Sequence, residues 1–427
     1  MEDIKNKKTF SPWTWIPTLY FAEGIPYVIA MTVSVIMYKR FGISNTDIAL
    51  YTSWLYLPWV IKPFWSPFVD ILKTKRWWII TMQLLIGGGL AGVAFIIPAP
   101  FYFQGSLAVF WLIAFSSATH DIAADGFYML ALDEGQQSFF VGIRSTFYRV
   151  AMISGQGLLI ILAGFLEHKT GNIKFAWSIT FFVLSGIFLL LMIYHRFILP
   201  KPVKDNSVEE VSLYNVLHDF AITFATFFSK KEIWMSLAFL LLYRLGESML
   251  VKIASPFLLD TREIGGLGLS TENVGVVYGT VGVIALTLGG ILGGIAASLK
   301  GLKFWILPMS LSITLPNFVY VILSIYQPQS FLIINICVAI EQFGYGFGFA
   351  AYLLYMIYIS DGEHKTAHYA FCTGFMALGM MLPGMIAGWL QDTVGYQNFF
   401  LIIMLCTIPT LAIIPFMKID KSFGVKI

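Results

Sequence analysis

Charge is scarce in this chain: 12% of its 427 residues are Asp, Glu, Lys or Arg, where a soluble domain carries about 25%. That excludes a water-soluble fold. Cysteine is rarer still. Cys337, Cys372 and Cys406 all fall inside apolar stretches, which excludes a disulfide framework and leaves them as packing residues. No metal-ligand spacing occurs, so neither a metal nor a cofactor is expected. No cleavable leader is expected either: the polar start, Met1 to Ser11, runs straight into a long apolar segment with no small-residue cleavage site after it.

What is abundant is apolar length. Hydrophobic residues make up 58% of the chain and the mean hydropathy is +0.77. Twelve apolar runs, at 14–38, 46–69, 77–98, 105–131, 143–165, 175–198, 232–256, 271–298, 302–324, 330–358, 367–390 and 397–417, are each long enough to cross about 30 Å of hydrocarbon. In lipid a backbone must satisfy its polar groups within the segment, so these runs are predicted to be helices. Basic residues crowd the even-numbered connections, as in Lys73, Lys75 and Arg76, Arg144, Lys230 and Lys231, and Lys300 and Lys303. The odd-numbered ones hold only Lys39, Arg40, Lys169, Lys174 and Arg262. The asymmetry predicts both termini in the cytoplasm. It also makes these residues topology signals and not a nucleic-acid surface.

The run repeats itself. Leu72-Lys73-Thr74-Lys75-Arg76-Trp77-Trp78-Ile79 returns as Leu299-Lys300-Gly301-Leu302-Lys303-Phe304-Trp305-Ile306, 227 positions on. Asp133 to Ser138 aligns with Asp361 to Thr366, and Ala163-Gly164-Phe165-Leu166 with Ala387-Gly388-Trp389-Leu390. Matches at nearly one offset indicate an internal duplication. The expected organisation is an N-terminal six-helix half (1–198), a linker (199–231) whose stretch from Val211 to Phe228 is amphipathic and lies on the cytoplasmic membrane face, and a C-terminal six-helix half (232–427). Two parallel, pseudo-symmetric six-helix halves around a central path are the layout of the major facilitator fold. The predicted fold class is thus an all-α membrane protein of twelve transmembrane helices, expected as a monomer in the bilayer.

Ten ionisable side chains sit inside the apolar runs, four or more residues from either end, although a charge at the membrane centre costs roughly 2.5–3.5 kcal/mol. In that layout spans 1, 4, 7 and 10 line the cavity. Eight of the ten fall there: Glu23; His120, Asp121 and Asp125; Arg244, Glu247 and Lys252; and Glu341. Lys62 and Arg149 are the other two. A chain that only sat in lipid would not carry them; a solute carrier would. Asp121 and Asp125 share a helix face at i, i+4 and can share a proton, with His120 about 100° away around the helix. Glu23-Gly24-Ile25-Pro26 places an acid beside a proline kink. The expected proton-coupling groups are Glu23, Asp121, Asp125 and Glu341. The expected solute contacts are Tyr20, Glu23, Lys62, His120, Arg149, Arg244 and Glu247, because Arg grips carboxylates with two hydrogen bonds. A structural use is open for several: Asp125 clamping a neighbouring Arg, Glu23 paired with Lys62 or Arg149, Arg244 neutralised by Glu247 at i+3. Asp70, Lys73 and Arg76, an acid ending span 2 before a basic cluster, are candidates for a cytoplasmic gate. Trp54, Tyr56, Trp59 and Trp65 are expected mainly to pack.

The chain resembles the AmpG-like muropeptide permeases, a branch of the major facilitator superfamily. The resemblance rests on Phe21-Ala22-Glu23-Gly24-Ile25-Pro26, Lys62-Pro63-Phe64-Trp65-Ser66-Pro67-Phe68-Val69-Asp70, Ala118-Thr119-His120-Asp121-Ile122-Ala123-Ala124-Asp125-Gly126, Tyr148-Arg149-Val150-Ala151-Met152 and Tyr243-Arg244-Leu245-Gly246-Glu247. It implies proton-driven import of anionic sugar–peptide fragments across a bacterial inner membrane. A carrier for another oligosaccharide or glycoside fits the same residues. An intramembrane acyltransferase using His120 and Asp121 lacks a nucleophile, and a transporter-derived receptor would bind without accumulating.

Overall fold

The computed structural model describes residues 11–202, 205 and 213–424, without the side chains of Asp70, Ile71, Glu134, Ser138 and residues 213–217. The basic residues before Ser11, and the carboxylate of the gate candidate Asp70, therefore lie outside the described residues. Everything regular in what is described is helical.

Eight helices among the described residues are long and apolar enough to cross a bilayer. They are α1 (Pro12–Arg40), α4 (Lys75–Ile96), α5 (Tyr102–Ala131), α6 (Gly135–Thr170), α7 (Ile173–Ile198), α11 (Thr271–Tyr326), α12 (Phe331–Ser360) and α13 (Lys365–Phe416). Between them stand shorter pieces: α2 (Asn45–Trp54), α3 (Leu57–Ile71), α8 (Leu213–Phe228), α9 (Ile233–Leu242) and α10 (Leu245–Leu259).

The interruptions have local causes. Segment 45–71 breaks at Leu55-Tyr56, just ahead of Pro58, and segment 233–259 breaks at Tyr243-Arg244, where Arg244 has φ −108° and ψ 18°. A straight α11 would be about 80 Å long, far more than a bilayer. It is divided at Gly301 (φ 76°, ψ 168°), and α13 is divided in the same way at Gly395 (φ 76°, ψ 167°), a conformation open essentially to glycine alone. Pro26 deprives α1 of one backbone bond. The helix continues and widens into a π-helical turn at Ile29–Val33. Asp133 caps α6 in a reciprocal pair with Gln136.

Buried apolar side chains fuse the two halves of the chain into one core, from Ile25 and Ile29 of α1 to Met249 and Phe257 of α10. The outward faces carry exposed Phe95, Leu190, Phe197 and Leu299, the greasy surface a lipid-facing bundle needs.

At the end of the bundle away from both termini the halves are tied by polar contacts. Lys39 Nζ lies 2.7 Å from Asp260 Oδ1. Tyr396 donates to Asp260 Oδ2 at 2.5 Å. Asn45 Nδ2 donates to Gln391 Oε1 at 2.5 Å, and Thr46 Oγ1 to Asp392 at 2.6 Å. Arg40 Nη2 meets Glu167 at 2.8 Å, and Glu167 accepts Thr271 Oγ1 across the seam at 2.8 Å. Two glycines allow this approach: a Cβ on Gly164 would fall 2.3 Å from Glu272 N, and one on Gly388 would fall 1.9 Å from Asn45 O.

Candidate functional site

In the first half, four helices converge on one polar cluster. Glu23 comes from α1 beside Pro26, Lys62 from α3, Asp121 and Asp125 from successive turns of α5, and Arg144 from α6. Lys62 Nζ is ion-paired with Asp121 Oδ2. Arg144 Nη1 lies 3.1 Å from Asp125 Oδ1 and donates to the Tyr20 hydroxyl at 3.1 Å; Tyr20 in turn donates to Asp125 at 3.2 Å. The Arg144 guanidinium stacks 4.8 Å from the centre of the Tyr20 ring and 5.1 Å from that of Tyr128. Glu23 is within hydrogen-bonding reach of Asp121, yet its Oε2 is buried and finds no N–H or O–H donor among the described residues. Three carboxyls thus share two cations, and Glu23 has neither of them.

The second half is arranged differently. Arg244, at the break before α10, donates to Glu247 twice, Nε to Oε2 at 2.7 Å and Nη2 to Oε1 at 3.1 Å. Nη2 also donates to the Tyr345 hydroxyl at 2.6 Å, and the guanidinium lies 4.9 Å from the Phe349 ring centre. The pair is closed upon itself and almost wholly buried. Glu341 stands apart on α12. It accepts from Gln342 Nε2 at 3.0 Å, with Tyr278 and Tyr320 nearby.

A cavity of about 340 Å³ opens between the halves, within the size range of small-molecule sites. It is lined by Tyr20, Glu23, Arg144, Tyr148 and Arg149 from the first half and by Leu286, Gly290, Tyr345 and Phe349 from the second. Arg149 donates to Thr287 Oγ1 across the seam at 3.3 Å and has no carboxylate within 4.0 Å among the described residues. It is therefore a cation open to an anionic ligand.

Several sequence expectations change in detail. The cation clamping Asp125 is Arg144, which stood in the sequence only as a basic loop signal; Arg149 keeps clear of it. Lys62 serves Asp121, so neither Lys62 nor Arg149 pairs with Glu23. Of the two readings open for Arg244, the intrahelical pair with Glu247 is the one formed. His120 does not line the cavity. Its Nε2 accepts from Gln83 Nε2 at 3.0 Å, Gln83 Oε1 accepts from His195 Nδ1 at 2.9 Å, and His195 Nε2 is 2.9 Å from Thr18 Oγ1. This buried chain ties α1, α4, α5 and α7 together behind the acids. Arg76 is also occupied, by the end of its own half and the start of the linker. It donates to the carbonyls of Leu199 and Arg196, while its backbone N–H donates to Asp205; Lys73 is exposed. Most of the polar contacts that bridge the halves lie at the opposite end of the bundle, Arg149–Thr287 at the cavity being an exception. Arg144, Tyr148, Tyr345 and Phe349 were missed. Helical spacing could have found them, since Arg144 and Tyr148 are four apart, as are Glu341, Tyr345 and Phe349.

Comparison with known proteins agrees with this architecture. The profile of the Major Facilitator Superfamily matches residues 18–382. The Rickettsia conorii protein called AmpG 4 is 27% identical over 94% of this chain and 95% of its own length. The anhydromuropeptide permease of Escherichia coli is 25% identical over 93% of this chain and 77% of its own length. Among solved structures the nucleoside transporter NupG superposes with a TM-score of 0.72 at 15% identity, covering 96% of this chain and 100% of that one. The D-xylose–proton symporter gives 0.70 at 12% identity, covering 97% and 99%. Both show the fold alone. A multi-pass helical bundle, a cavity between its halves, a matching profile and AmpG-like relatives together make this chain a transporter that belongs to the Major Facilitator Superfamily.

Proposed function

We propose that the protein is a proton-coupled importer of anionic sugar–peptide fragments of the muropeptide type. Residues 1–198 and 232–427 would form two six-helix halves, twelve crossings in all, rocking about the central cavity by alternating access. Residues 199–231 would link them on the cytoplasmic side of the bacterial inner membrane. The single observation that carries the reading is Glu23: an acid with no cation of its own, within reach of Asp121, facing a cavity that also holds the free Arg149. Two carboxyl groups can share a hydrogen bond only when one of them carries a proton, so the pair is a natural place to load and release one. Arg149 supplies the counter-charge for a carboxylate of the solute, and Tyr20, Tyr148, Tyr345 and Phe349 offer ring faces to sugars. Asp125, held by Arg144 and Tyr20, positions Glu23 and Asp121. Glu341 is a second proton site in the other half. The names of the relatives support the choice of solute. A carrier for another anionic oligosaccharide fits the same cavity and differs only in what is taken up.

The test is uptake of a labelled anhydro-muropeptide into proteoliposomes, with and without an inward proton gradient. Accumulation is expected only with the gradient. In E23Q accumulation should cease while exchange of solute against solute continues. Accumulation in E23Q equal to that of the unaltered protein would sink the proton role of Glu23, and no uptake under either condition would sink the solute.

A further inference from the structure

Lys252 is a buried charge without a counter-ion among the described residues. It lies on α10, 1% exposed, with no carboxylate within 4.0 Å among the described residues. Its Nζ donates at 3.0 Å to Thr52 Oγ1 of α2, which belongs to the other half, and stands 5.2 Å from the Tyr56 ring centre. Beside Thr52, Ser53 is fully buried and its Oγ has no hydrogen-bond partner among the described residues. A buried ammonium without a counter-ion is costly, and packing alone would be served better by Leu or Met. The other cations of the interior are accounted for: Lys62 by Asp121, Arg144 by Asp125, Arg244 by Glu247. Arg149 opens on the cavity.

The position of Lys252 along its helix is informative. Eight residues separate it from Asp260 in the polar tie at the closed end, and eight from Arg244 beside the cavity, or about 12 Å each way. Tyr56, whose ring it touches, also neighbours Tyr27, Arg244 and Glu247, and Tyr27 packs on Trp59 at 5.2 Å. Lys252 therefore sits between the closed end and the cavity, behind an aromatic cluster. Its one hydrogen bond crosses the seam that must part when the closed end opens. Parting takes Thr52 away and leaves the ammonium facing the new opening with nothing to pair.

We propose that Lys252, with Thr52 and Ser53 opposite it, is an anion station for the carboxylate of the incoming solute, occupied when the end now closed stands open. The hydroxyl of Thr52 holds the ammonium in the empty closed state and yields it to the solute in the open one. Arg149 then takes over the carboxylate as it reaches the cavity. This rests on the carrier reading above and adds that a negative charge on the side of the solute that enters first tightens its binding.

The experiment uses two probes in proteoliposomes, 1,6-anhydro-N-acetylmuramic acid and its neutral primary amide. In K252Q and K252M the KM for the acid should rise about tenfold, the equivalent of ~1.4 kcal/mol, while the KM for the amide stays level. K252R should restore the preference for the acid. Uptake of the amide confirms that each variant is folded and working. An unchanged preference in K252Q and K252M, or an equal loss for both probes, overturns the anion station and leaves the carrier reading in place. Failure of the unaltered protein to take up either probe overturns both.

Discussion

The two halves of this transporter mirror one another at the closed end and diverge in the middle. At the closed end, Gly164 packs on Glu272 and Gly388 on Asn45. Gly164 and Gly388 are 224 positions apart, and Asn45 and Glu272 are 227 apart. The offset of 224 also relates Glu167, which accepts Thr271, to Gln391, which accepts Asn45, and these two donors are 226 positions apart. Gly171 and Gly395, also 224 apart, both take positive φ at helix boundaries. Each half thus offers the other the same corner. In the middle no such correspondence holds. The first half gathers three acids, Glu23 among them, and two cations; among the described residues the second closes Arg244 on Glu247, leaves Glu341 with an amide and leaves Lys252 without an acid. On the proposed carrier reading, a seam that opens and shuts needs matched faces, which a duplication would preserve, whereas proton and solute would make different demands and leave the interior free to differ.

The largest effect expected from breaking this comparison is in the second half. Arg244→Ala or Glu247→Ala would strand a buried charge, a loss of about 3–5 kcal/mol, read as a fall in the thermal unfolding temperature of the purified protein in detergent. The double change R244M/E247M removes both charges and should recover most of it. If the single and double variants are equally destabilised, the pair is not a self-contained unit and the contrast with the first half fails.

Much of this was legible in the sequence. The crowding of charge into four of the twelve apolar runs, and the offsets near 227, led to the fold and to Glu23, Asp121 and Arg244; Arg149 stood out as a cation within an apolar run outside those four. Partner choice was not legible. Asp125 could be matched to a cation only by depth along a helix, and Arg144, one turn nearer the connection than Arg149, read as an ordinary topology signal. The closed end was illegible for another reason. Asn45, Gln391 and Tyr396 are polar residues near helix ends, where polarity is unremarked, and their pairing spans some 350 positions. His120 was misplaced because one-dimensional spacing gives the face of a helix but not its neighbour, here Gln83 on α4.

A smaller effect is expected from making the two corners alike. Glu167 is a carboxylate held by Arg40, Thr271 and the Trp177 indole, where its counterpart Gln391 is an amide. Glu167→Gln removes the charge from these bonds, and hydrogen bonds to charged groups are worth about 1.5–3 kcal/mol. Half-exposed Arg40 should retain water as a substitute and keep the loss near the lower limit. The closed end should then open more often. A cysteine placed at Thr46 should react with a membrane-impermeant thiol reagent about tenfold faster in E167Q, as ~1.4 kcal/mol dictates. No change in labelling would mean that the amide corner alone sets the closure.

The smallest difference lies where the repeat is clear in sequence and idle in structure. Asp133 and Asp361 are 228 positions apart in equivalent connections. Asp133 accepts the Gln136 backbone N–H at 2.8 Å and caps α6. Asp361 has lost that task. The residue before α13 is His364, which makes no capping bond, and the Asp361 carboxylate faces Lys365 at 3.6 Å with both side chains exposed. Its backbone carbonyl, which accepts Lys230 Nζ at 2.6 Å, is untouched by a change of side chain. Asp133→Ala should therefore cost about 1 kcal/mol, the usual worth of an N-cap, and Asp361→Ala should stay within about 0.5 kcal/mol, as exposed pairs do. Paired unfolding curves in one detergent would decide it. Equal losses would mean that Asp361 holds its connection in a way its exposed carboxylate does not suggest, and that these two connections, like the closed end, still act as copies.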